Sequence, residues 1–115
     1  MNTTSIDIVT RDALASFREI LIARYGEHLK AWYLFGSRAR GDHRPESDAD
    51  VAVFLDHAAD PIAEQFELID EGYGILLDTG VNIQPWVFDE ATLTDPEHHR
   101  APNLVKTIRQ EGVQL

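Results

Sequence analysis

The 115-residue sequence contains no cysteine. Without thiols there is neither a disulfide framework nor a thiolate metal site, and a reducing cytoplasm is the expected home. Long apolar runs are also missing: none approaches the roughly 20 residues that a membrane helix needs, so no membrane span is expected. The opening stretch, Met1 to Asp7, has neither a basic segment nor an apolar one, so no secretory leader is expected there. Positive charge is the third shortage. Ten Lys and Arg stand against 20 Asp and Glu, a net charge of −10. Such a surface repels a phosphate backbone and argues against general nucleic-acid binding.

What is present is ordinary for a globular protein, with 43% hydrophobic and 26% charged residues. The length suits one core, and with no repeat, low-complexity tract or linker, residues 1–115 are expected to form a single domain. Arg38, Arg40 and Arg44 lie within one short stretch. A local cationic patch on an anionic chain suits a small anionic ligand, and three solvated loop arginines would look the same.

Periodicity predicts a helix from about Thr10 to Tyr25, with Leu14, Phe17, Leu21 and Tyr25 on one face, Thr10 as cap and Gly26 as stop. Ala31 to Phe35 reads as a buried strand closed by Gly36, and Asp48 to Leu55 as a second. A second helix begins at Asp60-Pro61, a capping acid before a first-turn proline. Ile62, Phe66, Ile69 and Tyr73 form its apolar stripe, expected to face the core, with Glu64, Glu67, Asp70 and Glu71 on the wet side. Val81 to Phe88 reads as a third strand, placed at an edge because Pro85 cannot donate to a ladder. A last helix spans about Pro102 to Glu111, before Gly112. The expected class is a mixed α/β domain, a small sheet packed with helices.

The chemistry-bearing stretch is Gly36-Ser37-Arg38-Ala39-Arg40-Gly41, followed after a gap by Ser47-Asp48-Ala49-Asp50. Residues two apart on a strand point the same way at roughly 6.6 Å, so Asp48 and Asp50 can aim both carboxylates at one point. Two like charges held together are costly unless a cation lies between them. Magnesium, a hard ion held by one or two carboxylates plus substrate phosphates, fits. Gly36 permits a sharp turn and close approach of a ligand. Ser37 offers a hydroxyl and a backbone donor to a phosphate oxygen, and a helical turn at 37–40 would aim further N–H groups there. Arg38 and Arg40 could neutralise more phosphate charge. Either half alone is a common turn or strand edge; a nucleotide–magnesium complex needs both.

Gly36-Ser37, ten intervening residues, then Asp48-Ala49-Asp50 resembles the DNA polymerase β-type nucleotidyltransferase superfamily. The string GSRARGDHRPESDADVAVFL, the short length and the ending from Ile108 to Leu115 resemble its minimal nucleotidyltransferase (MNT) group, so the resemblance covers nearly the whole chain. It implies a minimal polymerase β-like fold and a magnesium-dependent enzyme using ATP. Many MNT proteins are antitoxins paired with a HEPN-domain RNase toxin, which they inactivate by transferring AMP onto a toxin tyrosine. The resemblance thus implies a protein adenylyltransferase, with Asp48 and Asp50 catalytic and metal-binding, and Gly36, Ser37, Arg38 and Arg40 nucleotide-binding. It also implies a HEPN toxin as partner in a hetero-oligomer.

One position departs from that pattern. Active members carry a third carboxylate on the next strand, where this chain has Asn82. Asparagine offers a carbonyl oxygen but no charge and no base; Asp78 and Asp89 lie on either side of the strand. A non-catalytic antitoxin that occludes its toxin is therefore an alternative, and a small-molecule nucleotidyltransferase is another, although such enzymes usually need a further acceptor domain. The remaining candidates are weaker: His98-His99 and His43 are expected in solvated loops, and Trp32 and Trp86 in the core.

Overall fold

The computed structural model describes residues 6–95 and 101–115. The first helix, α1, runs Ile8–Tyr25. Its cap is Asp7, whose carboxylate accepts the Thr10 N–H at 3.1 Å, so the helix starts a little earlier than Thr10 as predicted cap. Gly26, at φ 54°, ends it and a short 3-10 turn follows. Strand β1 is Leu29–Phe35, helical turn α2 is Ser37–Arg40, and strand β2 is Ala49–Leu55. Helix α3, Pro61–Glu71, is capped by Asp60 through the Ala63 N–H. Helix α4, Tyr73–Thr79, leads to strand β3, Ile83–Asp89, and turn α5, Ala91–Thr94. Helix α6, Pro102–Glu111, precedes a two-residue strand β4, Val113–Gln114.

The sheet order is β3-β2-β1-β4. Strand β1 runs antiparallel to β2 and to β4, and β2 runs parallel to β3, which makes the sheet mixed as expected. The β2-to-β3 connection needs a crossover, and α3 and α4 supply it. Strand β3 lies at an edge, where Pro85 has no second ladder to serve.

Each face of the sheet buries its own cluster. Ala49, Val51, Val53 and Leu55 of β2 pack with Leu14, Phe17 and Leu21 of α1, Leu68 of α3 and Ile75 of α4. Trp32 belongs to this layer, at 6.0 Å from Phe17 between ring centroids, as its core assignment requires. On the reverse face Ala52 and Phe54 pack with Phe88, Val105 and Ile108 under α6, and Phe54 stacks on Phe88. Period-two alternation therefore puts Asp48 and Asp50 on the α6 side of the sheet.

Two expectations about α3 are corrected. Ile62, Phe66 and Tyr73 are exposed, and the inward residue of α3 is Leu68. Glu64, Glu67 and Glu71 do not form a merely solvated face: all three gather around the guanidinium of Arg24 on α1. An apolar stripe gives a helix one side but does not say whether protein or solvent lies against it. The His98-His99 pair lies outside the described residues.

Candidate functional site

The motif residues meet where β1 ends and β2 begins. Phe35 pairs with Asp50 across the antiparallel ladder, so Gly36, next in sequence, emerges beside that carboxylate. Gly36 has φ 78°, and a Cβ there would stand 2.6 Å from Asp50 Oδ2. Both facts require glycine: the backbone is in the half of conformational space that side chains disfavour, and the space is already filled. Ser37–Arg40 forms a helical turn, in which Ala39 and Arg40 N–H donate to the Gly36 carbonyl, and Gly41, at φ 86°, closes it. The first amides of the turn, those of Ser37 and Arg38, have no intrahelical acceptor available.

Arg38 does not serve as expected. Its side chain is 2% exposed. Nη1 donates to Thr10 Oγ1 of α1 at 2.7 Å, Nε to the Ser47 carbonyl at 2.9 Å and Nη2 to the Pro45 carbonyl at 3.0 Å. The guanidinium thus stitches the loop before β2 to α1 and fixes the approach to Asp48. Within that loop Ser47 and Arg44 exchange hydrogen bonds, the Ser47 hydroxyl accepting the Arg44 N–H and the Ser47 N–H donating to the Arg44 carbonyl. Arg40 is the exposed arginine of the pair, bonded to Asp42 and to Glu111 of α6 and close enough to Asp50 to favour its charge. His43 is less exposed than a solvated loop residue: its Nε2 lies 3.2 Å from Asp7 Oδ2 at the cap of α1.

Burial, and then the neighbouring Asp48 charge, lift the Asp50 carboxyl above the ordinary carboxylate range. The Trp86 indole and Arg40 pull it partly back. The indole Nε1 is itself buried, with no hydrogen-bond partner within ordinary reach among the described residues. Sequence reading missed this neighbour; the signal was parity, since Trp86 lies two residues beyond Gln84, the cross-strand partner of Asp50.

Register also resolves the third position. Strand β3 pairs Ile83 with Ala49, and the Ala49 N–H donates to the Asn82 carbonyl, so Asn82 stands beside Asp48. Its side-chain amide donates to Asp48 Oδ1 at 3.1 Å. Asp89 pairs with Leu55 at the far end of the strands and Asp78 is exposed on α4, so neither supplies the missing carboxylate. Among the described residues no group of three or more His, Cys, Asp or Glu could hold a metal. The donor set present is two oxygen-bearing carboxylates, one of them strained by like charge. That fits a hard divalent cation completed by substrate oxygens.

Comparison with known proteins bears on the fold and the family. None of the curated proteins matches the chain. Among solved structures, a mutant of the toxin–antitoxin MntA–HpeT is similar, with a TM-score of 0.59 and 23% identity over 88% of this chain and 70% of that one. A candidate nucleotidyltransferase from Sulfolobus solfataricus also has a TM-score of 0.59, with 19% identity over 99% of this chain and 87% of that one. These likenesses establish the fold. The family model for the nucleotidyltransferase domain matches residues 14–113, and the chain therefore belongs to the nucleotidyltransferase domain family.

Proposed function

We propose that this domain transfers AMP from ATP to a hydroxyl group of a partner protein, a tyrosine of a HEPN-type RNase toxin, and so acts as its antitoxin in the cytoplasm. The observation that carries the reading is that Asp50 feels the charge of Asp48 while Gly36 is pressed against it, with the Ser37 turn opening at the same strand end. A magnesium ion held by the two carboxylates would screen the triphosphate and make the α-phosphorus more electrophilic. Ser37, with the free amides of its turn, grips the outer phosphate oxygens. Arg40 adds charge by turning from Glu111 towards the bound anion. Arg38 keeps the loop, and through it Asp48, in place. The acceptor oxygen then attacks the α-phosphorus in line, forming an O–P bond as the bond to pyrophosphate breaks, and its proton passes to solvent. Positioning and charge compensation supply the rate. The acceptor is placed on another chain, a protein substrate rather than a small molecule, as the resemblance to the minimal nucleotidyltransferase group implies. The similarity to the MntA–HpeT toxin–antitoxin structure supports the same choice.

A second reading rests on Asn82. With an amide bonded to Asp48 where a third carboxylate is usual, the domain could neutralise its toxin by occlusion alone. Incubation with α-labelled ATP, magnesium and the product of the adjacent gene separates the two. Label on the partner, abolished by Asp48→Asn and by Asp50→Asn, supports transfer. Neutralisation that survives both changes, without label, supports occlusion.

A further inference from the structure

The β3 segment sets a neutral hydrogen-bond donor beside each carboxylate of the pair, and only one of the two donors is in use. The Asn82 side-chain amide donates to Asp48 Oδ1 at 3.1 Å. Trp86 follows four residues later, and strand alternation keeps it on the same face. It pairs with Ala52, two residues along from the pair formed by Asp50 and Gln84. Its ring packs against Ala52, Phe54 and Phe88, which hold the indole in place and offer it no side-chain acceptor. An indole N–H can only donate, and when buried it ordinarily has a partner. Here Nε1 is buried and has none among the described residues. The acidic group within its influence is Asp50. Burial and the Asp48 charge act against the Asp50 carboxylate, while the indole and Arg40 act in its favour.

A buried donor without an acceptor is unfavourable, and a bond formed in another state of the site would remove that cost. A carboxylate has two oxygens, so it can serve an ion with one and a donor with the other. Carboxylates that ligate metals are generally held by a second partner in this way. Gly36 already confines Asp50, since a Cβ at residue 36 would stand 2.6 Å from Oδ2. The donor is also suitably neutral. A Lys or Arg in its place would compete with a cation for Asp50, whereas an indole N–H orients the carboxylate and leaves its charge available. We propose, on the footing that Asp48 and Asp50 hold a nucleotide-bound cation, that Trp86 is a positioning residue of that site: its N–H bonds one Asp50 oxygen when the other engages the ion. Asn82 and Trp86 then play matching parts, each holding one carboxylate from the neighbouring strand.

The test uses the full chain and Mg-ATP. In NMR spectra the Trp86 indole N–H resonance, identified by its absence from Trp86→Phe, should move downfield and exchange more slowly with solvent as Mg-ATP saturates the protein. The resonance of Trp32, which lies in the other cluster on the α1 side, should stay in place. Calorimetry should show Mg-ATP bound about 10–100-fold more weakly by Trp86→Phe, the loss typical for the outer partner of a metal ligand. Phe88→Leu thins the same apolar cluster and keeps the indole, so its affinity should match that of the unaltered chain. An indole resonance that stays put at saturation, equal affinity of Trp86→Phe and the unaltered chain, or an equal loss in Phe88→Leu would each overturn the proposal. If Trp86→Phe does not fold, the resonance is identified as the one that Trp32→Phe retains, and its response alone decides. If the unaltered chain binds Mg-ATP while the indole is silent, only the role of Trp86 falls. If it binds none, the assignment of a cation to Asp48 and Asp50 falls, and the role of Trp86 with it.

Discussion

Gly36 and Asp50 occupy adjoining space so closely that a methyl group on the first would stand 2.6 Å from a carboxylate oxygen of the second. The turn that opens at Ser37 and the Asp50 carboxylate are therefore one packed unit. Gly36→Ala should cost about 1–3 kcal/mol, from a side chain forced to positive φ. It should also displace Asp50 and abolish Mg-ATP binding. Thermal melting and titration calorimetry check the two effects, and a variant that melts lower yet binds Mg-ATP normally would separate what the geometry joins.

Arg38 and Arg40 should behave in opposite ways. Arg38 satisfies Thr10 and two carbonyls from inside the protein. Arg38→Lys cannot reach all three acceptors with one ammonium group and should cost about 2–4 kcal/mol in urea unfolding. Arg40→Ala, at an exposed position held by surface ion pairs, should leave the urea midpoint unchanged and weaken ATP binding. The reverse pattern would mean that the buried arginine is the ligand.

Asp7 offers a pH signature. Its hydrogen bond to the Thr10 side chain, with smaller help from the Thr10 backbone and from His43, holds its carboxyl below the ordinary range despite partial burial. A depressed folded-state value means that the cap contributes fully above the ordinary carboxylate range and is lost as the pH falls through the depressed value. Asp7→Ala should therefore lower stability by about 1 kcal/mol at neutral pH, and the deficit should vanish in acid. Urea midpoints measured from pH 7 to pH 2 check this; a deficit constant with pH would assign the effect to something other than the charge.

Much of this was legible in the sequence, for identifiable reasons. The strands are short apolar runs bounded by Gly, Asp and Pro, so they had few competing assignments, and Pro85 marked an edge. The Gly36-Ser37 and Asp48-Ala49-Asp50 elements carry their own backbone logic and meet where expected. Strand β4 was not legible, because two residues show no periodicity and exist as a strand only through pairing with Tyr33 and Leu34. Which of Arg38 and Arg40 points inward depends on how a four-residue turn sits against α1, and alternation alone is symmetrical between them. The outward stripe on α3 failed for a related reason: helical spacing identifies faces, and only tertiary structure says which face is covered.

Asn82 allows the carboxylate arrangement to be tested by adding charge. The Asn82 amide donates to Asp48, so in the resting protein it relieves the repulsion that, with burial, lifts the Asp50 carboxyl. Asn82→Asp removes that donor and brings a third negative charge to the same strand ends. Without metal the variant should melt several degrees lower, since about 1 kcal/mol shifts a domain of this size by roughly 4–8 °C. With magnesium the order should reverse, because a third carboxylate strengthens the site and binding to the folded state alone raises stability. If transfer is the function, label incorporation should rise in parallel. A variant less stable than the unaltered chain at every magnesium concentration would show that Asn82 does not face a cation site, and that the amide was placed there only to hold Asp48.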